Sequence, residues 1–380
     1  MFNIIVLGLT SLLTDIASEM VYPLIPFFLT STLGAGPAIL GIVEGIAEST
    51  ASLLRVFSGS ISDRLKKRKA LVIAGYASST LGKVLLFFAG SWGMVLGARV
   101  IDRIGKGIRT APRDALIAES AEEGKRGKAF GLHRAMDTAG AAIGVLLAYV
   151  FMTGNSASYS TVFLWSIVPA AAGVFLLAHL REPKLTTGPS ARLPLFRWSV
   201  LPRKLRLFLI IAFIFTLGNS SNTFLLLRAG GLGFTPAMAI LLYLVFNLSY
   251  ALFSYPAGKL FDRIGPKSIL ATGYCVYGCV YLGFAVCGAG TASWMMWVLF
   301  GMYGLYAGLT DGVEKALVAN LAPADLCATA IGLHATIVGV GLLPASLLAG
   351  ELWSLFGPEA TFLFGSALGL LAAVGLALIL

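Results

Sequence analysis

Stretches of about twenty apolar residues, repeated down the chain, constrain this sequence more than any other feature. A helix needs roughly 20 mostly apolar residues to cross a lipid bilayer. Runs of that kind fall near 4–32, 37–58, 70–90, 92–119, 127–152 and 159–180, and again near 206–228, 236–257, 268–288, 293–320, 325–351 and 358–379. They are continuous rather than alternating, which argues against a β-barrel. Hydrophobic residues make up 57% of the chain and charged residues 12%. A soluble domain carries about 25% charged residues, so this chain lacks the polar surface a soluble fold needs. The expectation is an all-α membrane protein with about twelve transmembrane helices. The first stretch, MFNIIVLGLTSLLTDIASEM, has no basic segment ahead of its apolar run. It reads as the start of a first span rather than a cleaved signal.

The basic residues predict the orientation. SDRLKKRK, AEEGKRGK, the long segment REPKLTTGPSARLPLFRWSVLPRKLR and DRIGPK occupy alternate connections. The intervening ones, TSTLGAGPA, GSWG, TGNSASYS, AGGLGF and GAGTAS, hold no Lys or Arg. Cytoplasmic loops are the ones enriched in Lys and Arg, so both termini are expected in the cytoplasm, with the protein in a prokaryotic inner membrane. The net charge of +10 is then mostly a topology signal, with some attraction to anionic lipid, and no nucleic-acid partner is expected. The four cysteines, Cys275, Cys279, Cys287 and Cys327, form no CxxC pair. They read as small packing residues rather than a disulfide framework.

The chain repeats itself. AFGLH at 129–133 returns as AIGLH at 330–334, a shift of 201 residues, and GSISDR at 59–64 returns as GKLFDR at 258–263, a shift of 199. The long basic segment with Pro183, Gly188, Pro189, Pro194 and Pro202 separates the copies. The expected organisation is a six-helix bundle over 1–180, a cytoplasmic linker over 181–205 and a second bundle over 206–380. Parallel repeats of this kind place a substrate site near the bilayer midplane.

GSISDRLKKRK and GKLFDRIGPK resemble the loop signature of the major facilitator superfamily in its two half-copies, and RIGKGIRTA at 103–111 resembles that family's fourth-helix motif. The likeness covers span count, topology and linker, and TDIASEMVYPLIPFFL with DRIGKGIRTAPRDALIAES resembles a prokaryotic branch of mostly unassigned members. It implies two pseudo-symmetric six-helix bundles. A carboxylate at a helix end can accept backbone or Arg hydrogen bonds and latch one conformation, so Gly59, Asp63, Arg64, Arg68, Gly258, Asp262 and Arg263 at the two loop copies, with Arg109, Arg113 and Arg134 near the cytoplasmic helix ends, are expected to form a conformational latch. Two positions depart from the pattern. Lys66 replaces the usual glycine of the first loop copy, and Ala141 follows Gly140 where proton-driven drug antiporters carry proline.

The fourth span is the least apolar. Within ARVIDRIGKGIRTAPRDA, at 98–115, Arg99, Asp102, Arg103, Lys106 and Arg113 fall within about a 100° arc of a helix, so the charges line one face. A lipid-facing charge costs several kcal/mol, so that face must look into protein or a wet cavity. Candidate partners are Asp15 and Glu19 in the first span, Glu44 and Glu48 in the second, Lys83 in the third, and His133, Arg134 and Asp137 in the fifth. Acids and bases balance across the first six spans, which argues for internal pairing. Asp15, Glu48 and Arg103 fall near mid-depth and are the leading candidates for binding substrate or protons. Glu19, Glu44, Arg99, Asp102 and Asp137 join them, with Asn219, Asn222 and Asp311 in the charge-poor second half. His133 and His334 occupy equivalent repeat positions and read as helix-packing residues.

The expected function is a secondary active transporter that moves a small solute by alternating access. Proton coupling and efflux as an antiporter stand ahead of uptake or facilitated transport of an organic anion, a metal ion or a metal chelate. Nothing resembles an ATP-binding P-loop. Asp15 and Glu19 offer oxygens to a hard metal, but no His/Cys cluster suits a softer one, and no metal or cofactor is expected. A membrane lipid enzyme or a transport-dead sensor is a remote alternative, since no GxSxG or HExxH motif is present. A monomer suffices for this function.

Overall fold

The computed structural model describes residues 2–65, 68–121, 126–154, 158–181, 201–288, 293–322 and 327–379. These residues form twelve main helices. α1 (Phe2–Val21), α2 (Pro37–Leu65), α3 (Arg68–Phe87), α4 (Trp92–Ser120), α5 (Arg126–Thr153) and α6 (Tyr159–Leu176) make up the first half. α7 (Arg203–Gly218), α8 (Pro236–Ile264), α9 (Pro266–Val286), α10 (Ser293–Leu321), α11 (Cys327–Phe356) and α12 (Pro358–Ile379) make up the second. Among the described residues there is no strand. The helix set coincides with the twelve apolar runs of the sequence.

Local chemistry sets the helix ends. Ser91 caps α4 by accepting from the Met94 amide at 3.4 Å, and Ser158 caps α6 by accepting from the Thr161 amide at 3.1 Å. Such caps satisfy amides that have no partner within the helix. α2, α8, α9 and α12 each begin at a proline, whose missing N–H costs nothing at a first helical position. The turn into α9 passes through Gly265 at φ +82°, a left-handed conformation that penalises any residue with a Cβ.

Ten helical segments are long and apolar enough to cross a membrane, the first running on past Pro23 and Pro26 as far as Thr32. α4 is not among them because of its charges. α10 is not among them because its tyrosines, tryptophans and glycines lower its mean hydropathy. Both lie within their bundles, so protein rather than lipid solvates much of each.

The chain divides into two compact units, Met1–Ala35 with Ile46–Arg192, and Gly36–Gly45 with Leu193–Leu380. The first ten residues of the second unit are thus the start of α2. There Gly41 abuts the Ser346 backbone, and the Ala38 amide donates to Ser354 Oγ at 3.1 Å. Packing within the units repeats. In the first, α1 lies on α5 and α6, and α3 on α4 and α6. In the second, α7 lies on α11 and α12, and α9 on α10 and α12.

Small residues make these contacts close, as expected where lipid provides little drive for helix association. A Cβ on Gly82 would stand 2.7 Å from the Ala98 carbonyl oxygen, and one on Gly75 2.7 Å from that of Gly105. In the second unit, a Cβ on Gly304 would stand 2.6 Å from Ser249 Cβ.

Candidate functional site: a charge cluster and an amide–tyrosine cluster

The close contact at Gly82 positions the polar centre of the first unit. Because α3 touches α4 there, the next side chain, Lys83, reaches across to Asp102, with Nζ 3.2 Å from Oδ1. Arg103 approaches the other carboxylate oxygen at 3.6 Å and Arg99 at 4.0 Å. The same two arginines reach Glu48 of α2, Arg103 at 3.4 Å and Arg99 at 3.8 Å. Arg99 also lies over the Tyr22 ring, 5.6 Å from its centroid. Lys83, Arg99 and Arg103 are all buried. Burial of an ion is tolerated when charges and hydrogen bonds compensate it, and here three cations and two carboxylates interlock. Ser18, Gly82, Lys83, Ala98, Arg99 and Asp102 also border a narrow cavity.

Asp15 stands apart. It lies about halfway along the 31-residue first span, within electrostatic reach of Asp137, Lys106, Glu19 and Arg109. Among the described residues it has no ion pair.

Nearer the α4 C-terminus, Arg109 donates to Ser79 Oγ and stacks over the Tyr76 ring at 4.3 Å. Arg113 grips Asp114 Oδ1 through Nε at 3.0 Å and Nη2 at 2.9 Å, and reaches Ser11 Oγ at 3.4 Å. Arg68 forms an ion pair with Glu119, His133 Nδ1 lies 3.5 Å from Asp137, and Arg134 is exposed. Of the remaining latch candidates, Gly59, Asp63 and Arg64 fall near the end of α2, and Gly258, Asp262 and Arg263 near the end of α8. Their side chains lie outside the described residues.

The second unit is built from amides and phenols. α7 stops at Gly218 and helix resumes at Thr223–Gly231. The break falls on Asn219-Ser220-Ser221-Asn222, residue types that hydrogen-bond locally and compete with the helix. Thr223 donates to Ser221 Oγ from its amide at 3.4 Å. The freed Gly218 carbonyl accepts from the Tyr277 hydroxyl at 2.7 Å. Asn219 Nδ2 donates to the Tyr306 hydroxyl at 2.9 Å, and the Tyr303 hydroxyl donates to Asn222 Oδ1 at 2.8 Å. Irregular backbone at membrane depth persists only where protein or a wet cavity satisfies it; Tyr277 does so for the Gly218 carbonyl, while Tyr303 and Tyr306 hold the two asparagine side chains.

Glu44, from the start of α2, belongs to this unit and accepts from Ser221 Oγ at 3.3 Å. It is therefore in a different cluster from Glu48, one turn away on the same helix. Asp311 is exposed, paired with Lys315 at 2.7 Å and bonded by the Tyr250 hydroxyl at 2.7 Å.

Sequence reasoning passed over the tyrosines. Tyr274, Tyr277 and Tyr281 are spaced three and four residues apart on α9, and Tyr303 and Tyr306 three apart on α10. That spacing marks one helix face and was the available signal. Arg228 was passed over as well; it pairs with Glu359 at 3.0 Å and donates to the Phe284 and Cys287 carbonyls. Among the described residues, no group of three or more His, Cys, Asp or Glu is arranged to hold a metal ion.

The family model described as Major Facilitator Superfamily matches residues 7–228 and 208–380, which together take in nearly the whole chain. The chain belongs to the major facilitator superfamily. It is 42% identical to an uncharacterized MFS-type transporter of Methanocaldococcus jannaschii, over 98% of this chain and 93% of that one. It is 25% identical to the inner membrane transport protein YajR of Escherichia coli, over 97% of this chain and 81% of that one. Among solved structures, the nucleoside transporter NupG matches with a TM-score of 0.80 at 14% identity, over 100% of this chain and 99% of that one. At that identity the likeness concerns fold. The protein is thus a multi-pass membrane transporter of this superfamily.

Proposed function

We propose that this MFS transporter is a proton-coupled secondary transporter working by alternating access of its two bundles, with the first unit handling protons and the second orienting a neutral hydrogen-bonding part of the substrate. The observation that carries the reading is the contrast between Asp15 and its neighbours. Glu48 and Asp102 are each held by two or more cations. Asp15 is surrounded by both signs of charge and is bound to none among the described residues. A carboxylate in that position responds to small movements of its neighbours, because desolvation and nearby charge decide whether it keeps a proton. Conformational change then loads and releases the proton. Asn219, Asn222, Tyr303 and Tyr306 offer donors and acceptors without charge, suited to an amide, hydroxyl or heterocycle on the solute.

The positive-inside pattern supports both termini in the cytoplasm and residence in an inner membrane. Efflux is the favoured direction, and a monomer is the working unit. The absence of nucleophile and metalloenzyme motifs in the sequence supports a transporter that carries out no chemistry on its solute.

A ligand-stabilisation screen in detergent tests the reading. Organic anions, metal ions, chelates, cationic drugs and neutral polar solutes are each added at acid and alkaline pH. A ligand at 100 times its Kd stabilises the folded state by about 2.7 kcal/mol. The expected hit depends on pH, loses that dependence in Asp15→Asn and weakens in Asn219→Ala. A hit indifferent to both substitutions overturns the assignment.

A further inference from the structure

The cysteines read in the sequence as packing residues, and Cys287 is one, at 1% exposed. Cys275 and Cys279 are not. Both are exposed on α9, whereas Tyr274 and Tyr277 of the same helix are fully buried. The two cysteines fall in the middle of the membrane-crossing stretch Lys267–Val286, so their surroundings are lipid rather than water. The side chain of Cys327 lies outside the described residues.

Residues four apart share one helix face, with Cβ atoms about 5–6 Å from each other, and these two thiols lie within hydrogen-bonding reach. Together with Met302 of α10 they border an open groove of about 430 Å³, whose walls include Val276, Val280 and Leu299. Three sulfur-bearing side chains, two of them thiols, thus meet at one apolar groove.

The spacing disfavours one chemistry and suits another. A disulfide needs Cβ atoms about 3.5–4.5 Å apart, so this pair cannot join without distorting α9. A metal ion seated between the sulfurs spans the longer distance. Thiolate and thioether sulfurs select soft metals. The lipid setting selects the charge: two thiolates on a divalent ion make a neutral unit, on a monovalent ion they leave a net negative charge, and a charge facing lipid is costly. Zinc is divalent but is held by at least three nitrogen, thiolate or carboxylate ligands, and the groove offers two. The mercuric ion is soft and divalent, and two thiolates in line satisfy it.

We propose that Cys275 and Cys279 form a soft-metal site for a two-coordinate divalent ion, with the mercuric ion as its ligand. The ion arrives as its neutral dichloride, which enters lipid. Two S–Hg bonds form, two S–H bonds and two Hg–Cl bonds break, and two protons and two chloride ions leave. Nothing is oxidised or reduced. The site goes beyond the reading above, and it needs neither Asp15 nor the amide–tyrosine cluster.

The test uses full-length protein in liposomes, carrying Cys327→Ser so that Cys287 is the one other thiol. Cys287 is buried and eight residues beyond Cys279, about 12 Å along the helix, too far to share the ion. Mercuric chloride is added at one equivalent, unprotected thiols are counted with a membrane-permeant maleimide, and bound mercury is measured after washing with rising concentrations of 2-mercaptoethanol. The expected result is one mercury per chain with two thiols protected together. Because the second thiolate binds intramolecularly, stripping the ion is expected to need a monothiol concentration about 100-fold or more above that for Cys275→Ser or Cys279→Ser. Mercury that protects a single thiol overturns the proposal, as does loss from all three proteins at the same concentration. Should the serine variants fail to fold, the thiol count on the parent protein decides.

Discussion

Replacing Asp102 by asparagine removes the carboxylate that faces Lys83 and keeps the side chain's shape. Lys83 is 4% exposed, and its Nζ lies 3.2 Å from the carboxylate. At an effective dielectric of about 20, two unit charges at that separation attract by about 5 kcal/mol. The asparagine oxygen still accepts one hydrogen bond from the ammonium, which returns about 1–2 kcal/mol. Arg99 and Arg103 keep Glu48, so Lys83 alone is left with no carboxylate in contact, and three cations share one negative charge. The expected loss is about 3 kcal/mol, at the lower end of the roughly 3–5 kcal/mol for breaking a buried pair. For a unit of about 150–250 residues that is a fall of about 6–12 °C in Tm. The assay is thermal unfolding in detergent, with native protein, Asp102→Asn, Lys83→Met and the double variant side by side. The double variant is expected to recover at least half of the loss, because it removes both charges. A Tm for Asp102→Asn within about 1 °C of native would refute the reasoning. A double variant less stable than Asp102→Asn would do the same.

The helix contact that builds this pair is itself testable. Gly82→Leu puts a Cβ 2.7 Å from the Ala98 carbonyl oxygen. It is expected to separate α3 from α4 and to cost more stability than Gly97→Leu on α4, where a Cβ meets open space; thermal unfolding compares the two. Tyr303→Phe removes the hydroxyl that holds Asn222 at 2.8 Å. It is expected to destabilise by about 1 kcal/mol while weakening substrate binding about tenfold or more, read by titrating the hit from the stabilisation screen.

Much of the architecture was legible because the bilayer sets helix length. Even α4 was placed correctly, since its charges fall on one face and leave the rest of the helix apolar. Its buried arginines had to find acids within reach, and Glu48 was among the few available. The break in α7 was harder to read. Asn219 to Asn222 sit inside an apolar run, and whether helix survives there depends on tyrosines more than fifty residues away. Those tyrosines had a helical spacing, but packing residues share it. The start of α2 joins the second unit through Gly41 and Ala38, and the separation of Glu44 from Glu48 follows from that. No local pattern encodes it, because it depends on which distant helix offers a small-residue surface.

The most direct test of the central claim is proton movement driven by solute. Native protein and Asp15→Asn are reconstituted into liposomes holding a pH-sensitive dye, and the ligand found in the stabilisation screen is added as a gradient. The account predicts a pH change inside liposomes with native protein and none with Asp15→Asn, although that variant still binds the ligand. An equal pH change in both would contradict it, and Asp15 would then be part of the scaffold rather than the carrier of the proton.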